Sequence, residues 1–222
     1  MDQFISTLIG FLYAIPCVLL ALTVHETAHG WVAYKLGDPT ARNLGRLTLN
    51  PLKHLDPLGT LCMLFFHFGW ARPVPINSRH FKKPRRDMAL TALAGPVSNI
   101  LMGFVGILLY CIMARIFIAN PAGSEFAYRL QLSTLELFRT FFSLNISLAV
   151  FNFLPIPPLD GSRIFLVFLP AKLYFGIMQY ERYIQFGLLI CLYLGFLDGI
   201  LSFLVNGLAS VMFWLVELLP FL

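Results

Sequence analysis

The chain has 222 residues, 58% of them hydrophobic and 12% charged, with sixteen Lys and Arg against eleven Asp and Glu. A soluble domain of this length carries about a quarter charged residues, so the composition points away from a water-soluble protein and toward one polytopic membrane unit. Ten of the sixteen basic residues lie between Lys35 and Arg86, beside apolar segments; that placement reads as topology and contact with anionic headgroups, and no long basic helix offers itself to nucleic acid.

Phe4 to Val24 is a 21-residue run without a charge. At about 1.5 Å per residue it spans a hydrocarbon core of about 30 Å. No basic n-region precedes it, so it reads as a retained span rather than a cleaved leader. The helical pattern continues to about Leu36, where Gly37-Asp38-Pro39 stops it. Residues 36–57 are polar and rich in turn formers. Leu58 to Trp70 is apolar but only 13 residues long, which suits a re-entrant or interfacial segment better than a span. The basic stretches 35–55 and 71–87 hold four and six Lys/Arg; a dip keeps both on the cytoplasmic side, as the positive-inside bias prefers. "ARPVPIN", Ala71 to Asn77, alternates Val and Ile between prolines. It reads as extended chain able to pair with a substrate strand, or as a plain surface loop.

Met88 to Ile118 forms the second long apolar segment, with small residues that let membrane helices approach closely. The third runs from about Leu130 to Leu154 and is broken by "PIPPLDG", Pro155 to Gly161. Two further spans are expected at about Tyr183–Leu197 and Gly199–Pro220, joined by a tight turn. The four cysteines are dispersed in apolar segments, which suggests neither a thiolate metal site nor a disulfide framework.

The chemistry concentrates in His25-Glu26-Thr27-Ala28-His29. Positions i and i+4 share a helix face, so His25 and His29 can offer two imidazole nitrogens to one ion. Nitrogen ligands in tetrahedral geometry favour zinc. Glu26, rotated about 100° around the helix, would reach a water beside the ion and take its proton. A catalytic zinc wants a third protein ligand. Asp160 stands out: it follows the proline break and returns to the depth of His25 and His29. It reads equally as the N-cap of a helix over 161–169. His67 sits in the dip, whereas His54 and His80 occupy basic loops and read as solvated. Asn152 lies in apolar "VFNFLP" and must find hydrogen bonds, either to a substrate carbonyl or oxyanion or to a neighbouring helix. For Asn99 and Asn145 the structural reading is preferred.

"HETAHGWVAYKLGDPTARNLGRLTLNP", "GWARPVPIN", "RRDMALTALAGPVSN" and "FNFLPIPPLDG" together resemble the site-2 protease family of intramembrane zinc metalloproteases, most closely its small bacterial and archaeal members. The resemblance covers about residues 15–165. It implies a three-helix catalytic core, with one zinc per chain held by His25, His29 and Asp160. It also implies Glu26 as general base, Asn152 in substrate or transition-state contact, and Ala94, Gly95, Pro96 and Asn99 as core packing. No PDZ domain or regulatory cystathionine-synthase-type domain is visible, and 56–70 is extra relative to the minimal core.

The expected fold is therefore an all-α polytopic membrane protein. About five transmembrane helices surround the three-helix core, with a re-entrant or short segment and a small extended or β region. The whole chain, 1–222, is expected to be one membrane-embedded protease domain, its core at about 4–165 and accessory helices at about 174–220. Expected partners are the bilayer and transmembrane protein substrates, with Val74, Ile76 and His67 as further substrate contacts. The active site is expected toward the cytoplasmic side. The rival expectation is a catalytically silent metal-binding membrane scaffold or chaperone.

Overall fold

The computed structural model describes residues 2–56, 59 and 72–219. The first apolar run and the histidines beyond it form one helix, α1 (Asp2–Lys35), which passes through Pro16. It stops where breakers were anticipated. Gly37 takes φ +109°, and the Gly37 and Asp38 amides return to the Tyr34 and Ala33 carbonyls, a left-handed cap that closes the last turn. A single helical turn, Thr40–Asn43, and a loop follow. Thr27 Oγ1 donates to the Thr48 carbonyl at 2.8 Å, tying that loop to α1.

α2 (Pro84–Ala119) and α3 (Glu125–Phe153) begin several residues before the apolar segments that announce them. Apolarity marks the part of a helix that meets lipid, whereas helix starts obey capping rules. Pro84 opens α2 at a position where a missing N–H costs nothing, and Asp87 Oδ2 accepts the Lys83 amide at 2.9 Å. Ser124 caps α3 by accepting the Ala127 amide. After the proline loop come α4 (Asp160–Phe165), α5 (Ala171–Met178), α6 (Glu181–Tyr193) and α7 (Asp198–Glu217).

Among the described residues four helices are long and apolar enough to cross a membrane: α1 from Ile9, α2, α3 and α7. The expected count of about five is not confirmed by these residues. The segment read as a span at 183–197 ends as helix at Tyr193, because Gly195 at φ +73° turns the chain. The resulting 13-residue helix is about 20 Å long, too short for the hydrocarbon core. The described residues contain no strand, and 72–77 run as irregular chain. The expected dip at 58–70, with His67, lies outside the described residues, Gly59 apart.

α1, α2 and α3 pack on one another, and α7 lies against α2 and α3. Ile107, Phe142, Ile146, Val150, Met212 and Val216 form the main apolar cluster. Close packing of α2 on α3 needs glycine: a Cβ at Gly103 would stand 2.6 Å from Ile146 Cδ1. Outward, Leu101, Ile118, Tyr193 and Phe203 each expose well over half their surface, a face made for lipid rather than water. The fold is thus a helical bundle that fits an integral membrane protein, with His25, His29, Asn99 and Asn145 buried inside it.

Candidate metal centre

His25 and His29 sit one turn apart on the inner face of α1, both buried, their rings edge to face and their Nε2 atoms 3.0 Å apart. They lie about 15 and 9 Å along the axis from Lys35, near the end of α1 that carries the basic loop. Asp160 comes from the other side of the core. The proline loop ends α3 and restarts helix at Asp160, where Gly161 is obligatory: a Cβ there would overlap the Phe153 and Leu154 carbonyls. Leu159, not Asp160, is the N-cap residue, and no side chain caps α4. The Asp160 carboxylate points instead into the core, Oδ2 standing 3.1 Å from His25 Nε2 and 3.2 Å from His29 Nε2.

The far side of each imidazole is fixed. His29 Nδ1 faces the Thr91 carbonyl at 2.7 Å. A carbonyl only accepts, so Nδ1 carries the hydrogen and Nε2 its lone pair. His25 Nδ1 donates to Asn99 Oδ1 at 2.5 Å. The Asn99 amide is oriented in turn, because its Nδ2 donates to the Ala21 carbonyl and to Asn145 Oδ1, while Asn145 Nδ2 donates to the Phe141 carbonyl. This fully buried ladder runs from α1 through α2 to α3. Gly95 lets α2 lie against the rings, since a Cβ there would overlap His29 Nε2 and stand 2.6 Å from His25 Cε1.

Two imidazole lone pairs and a carboxylate oxygen therefore converge with no hydrogen assigned between them. Asp160 Oδ2 is buried without a hydrogen-bond partner. Such convergence is repulsive unless a cation sits among the three atoms. Their separations of 3.0, 3.1 and 3.2 Å approach the edge of about 3.3 Å that a tetrahedral ion with bonds of about 2.0 Å requires. The donor set fits zinc.

Glu26 lies off this axis, as its place one residue after His25 dictates. Its Oε2 accepts the Val74 amide at 2.7 Å. Val74 is buried and Ile76 half-buried in the segment crossing α1. Asn152 occupies the last turn of α3, where Nδ2 donates to the Leu148 carbonyl. His54 is not solvated, as its basic loop suggested: it is buried, Nε2 meets the Thr48 carbonyl, and its own carbonyl accepts the Arg72 amide. His80 is nearer expectation, its half-exposed ring on Asp38. Sequence reasoning undervalued Asn99, Thr91 and Gly95. The one available signal was the small residues around Asn99 on α2, which allow close helix contact.

Beside this geometry stand the comparisons. The model of Peptidase family M50 matches residues 112–194, a stretch holding Asn152 and Asp160. A Bacillus subtilis (strain 168) protein named "Putative zinc metalloprotease YwhC" is 42% identical over 184 residues, covering 82% of this chain and 81% of that one. The chain belongs to peptidase family M50. Within M50 it also resembles the Rip2 proteins, under the same designation, of Mycolicibacterium smegmatis (30% identical) and Mycobacterium tuberculosis (29%). These matches cover 68% of this chain and 55% of each relative. No solved structure matches. The site-2 protease resemblance read from the motifs is thus confirmed.

Proposed function

We propose that this M50 member is an intramembrane zinc metalloendopeptidase that hydrolyses peptide bonds in or near the transmembrane segments of other proteins. One observation carries the reading: His25 Nε2, His29 Nε2 and Asp160 Oδ2 converge inside an apolar bundle, with Glu26 one residue after His25. His25, His29 and Asp160 would hold one zinc per chain. When bound, zinc supplies the Lewis acidity that makes a water nucleophilic near neutral pH and polarises a carbonyl.

The chain's own residues do the rest. Glu26 takes the proton from the attacking water and delivers it to the departing amine. Asn99 and the Thr91 carbonyl keep both Nε2 lone pairs facing inward. Asn152, with one amide hydrogen on Leu148, keeps a second for a substrate carbonyl. Val74, through the backbone beside Glu26, and Ile76 would meet an unwound substrate segment, with His67 as a further proposed contact. Residues 1–222 act as one unit, with the core at 4–165 and accessory helices beyond. The basic loops beside it favour a site on the cytoplasmic side.

The test uses detergent-purified wild type, Asp160→Ala and Glu26→Gln. Wild type should carry about one zinc per chain and cleave a membrane-spanning reporter. Asp160→Ala should lose the metal. Glu26→Gln should keep it and cleave nothing. A folded wild type without metal would refute the reading.

A further inference from the structure

Residues 72–77 cross α1 as a strap pinned at three points. At one end the Arg72 amide donates to the His54 carbonyl at 2.8 Å, and Arg46 donates to the Arg72 carbonyl at 2.7 Å. At the other the Asn77 amide donates to buried Asp38 Oδ2 at 2.7 Å. Between them the Val74 amide donates to Glu26 Oε2 at 2.7 Å. The close crossing depends on Gly30, where a Cβ would stand 3.1 Å from Val74 Cγ1 and 2.8 Å from Leu47 Cδ2.

The local sequence makes this amide singular. Pro73 and Pro75 flank Val74 and have no N–H. The strap can therefore offer Glu26 one hydrogen and no competing one from either neighbour. Among the described residues no group bonds Oε1 of Glu26. A carboxylate on a flexible side chain samples several rotamers; one held by a backbone donor at one oxygen presents the other in a fixed direction.

We propose that the Val74 backbone amide is a positioning group for catalysis, holding Glu26 Oε2 so that Oε1 faces the attacking water. The proposal rests on the reading of Glu26 as general base. The Val74 side chain packs the strap onto Gly30, while its N–H sets the carboxylate.

Two measurements test it. In the first, hydrogen exchange at the Val74 amide is followed in wild type, Glu26→Ala and Glu26→Gln; the flanking prolines leave few other amides in the same peptide. Removing the acceptor should speed exchange roughly tenfold or more, whereas glutamine, still an acceptor, should retain most of the protection. In the second, the Val74 peptide bond is replaced by an ester, which keeps the side chain and deletes only the donor. Turnover should fall about tenfold with KM and zinc content unchanged, the signature of an interaction that matters in the transition state. If wild type binds zinc and cleaves but Val74 exchange ignores Glu26, or if the ester turns over normally, the strap proposal falls and the protease reading stands. If wild type holds no zinc and cleaves nothing, both fall.

Discussion

Replacing Gly95 by alanine tests whether α2 is shaped around the two histidines. The new Cβ would stand 2.6 Å from His25 Cε1 and overlap the His29 ring, against 3.4–4 Å for ordinary contact. Relief requires a movement of about 0.8 Å, several times the ~0.2 Å tolerance of a metal–ligand bond. Perturbing groups that merely orient ligands costs 10–100-fold in affinity; displacing the ligands themselves should cost at least about 100-fold, or about 2.8 kcal/mol. Folding should change little, because overpacking of about 1–3 kcal/mol is partly offset by roughly 1 kcal/mol of helix propensity gained over glycine. Chelator competition reads zinc affinity, and thermal unfolding in detergent reads stability. Gly103→Ala is the contrast: its Cβ meets the Ile146 side chain at 2.6 Å, so it should carry a similar stability cost while keeping wild-type zinc affinity. Equal zinc affinity in Gly95→Ala and wild type would refute the reasoning.

Asn99→Ala removes the acceptor that fixes the His25 tautomer and strands buried Asn145. Zinc affinity should fall 10–100-fold and stability by about 1–3 kcal/mol, read by the same two assays. Asp38 is a hub for Thr40, Asn77 and His80. Burial pushes its carboxyl up, but the hydrogen bonds from Thr40, Asn77 and His80 outweigh this and hold it below the ordinary value. A lowered folded value means stability that is present above the unfolded pKa of about 3.9 and lost as pH falls through the folded value. Asp38→Asn should therefore weaken protection of residues 77–80 at neutral pH, with the gap to wild type closing in acid; hydrogen exchange across a pH series measures it.

The histidine pair and its glutamate were legible because a helix puts i and i+4 on one face and i+1 off it. Gly37-Asp38-Pro39 announced the stop of α1 just as plainly. Asp160 was legible only as two alternatives, ligand or cap, since a carboxylate before glycine serves either; the packing of α4 against α2 decides its direction. Asn99 could not be told from Asn145, because an amide in an apolar helix reads alike whether it orients a ligand or bonds a neighbour. The span expected at 183–197 arose from the apolar residues around Gly195: composition does not show that this glycine turns the chain. His54 was misread because loop polarity says nothing of a loop folded back on itself.

The three converging groups come from the first long helix and from the short helix α4 that follows the third. During synthesis His25 and His29 enter the bilayer early, and their partner emerges only when most of the bundle has been made. Until then the nascent chain lacks one of the three groups that the proposed zinc site requires. The order of elements along the polypeptide thus sets when the three groups first meet: only once most of the bundle is made.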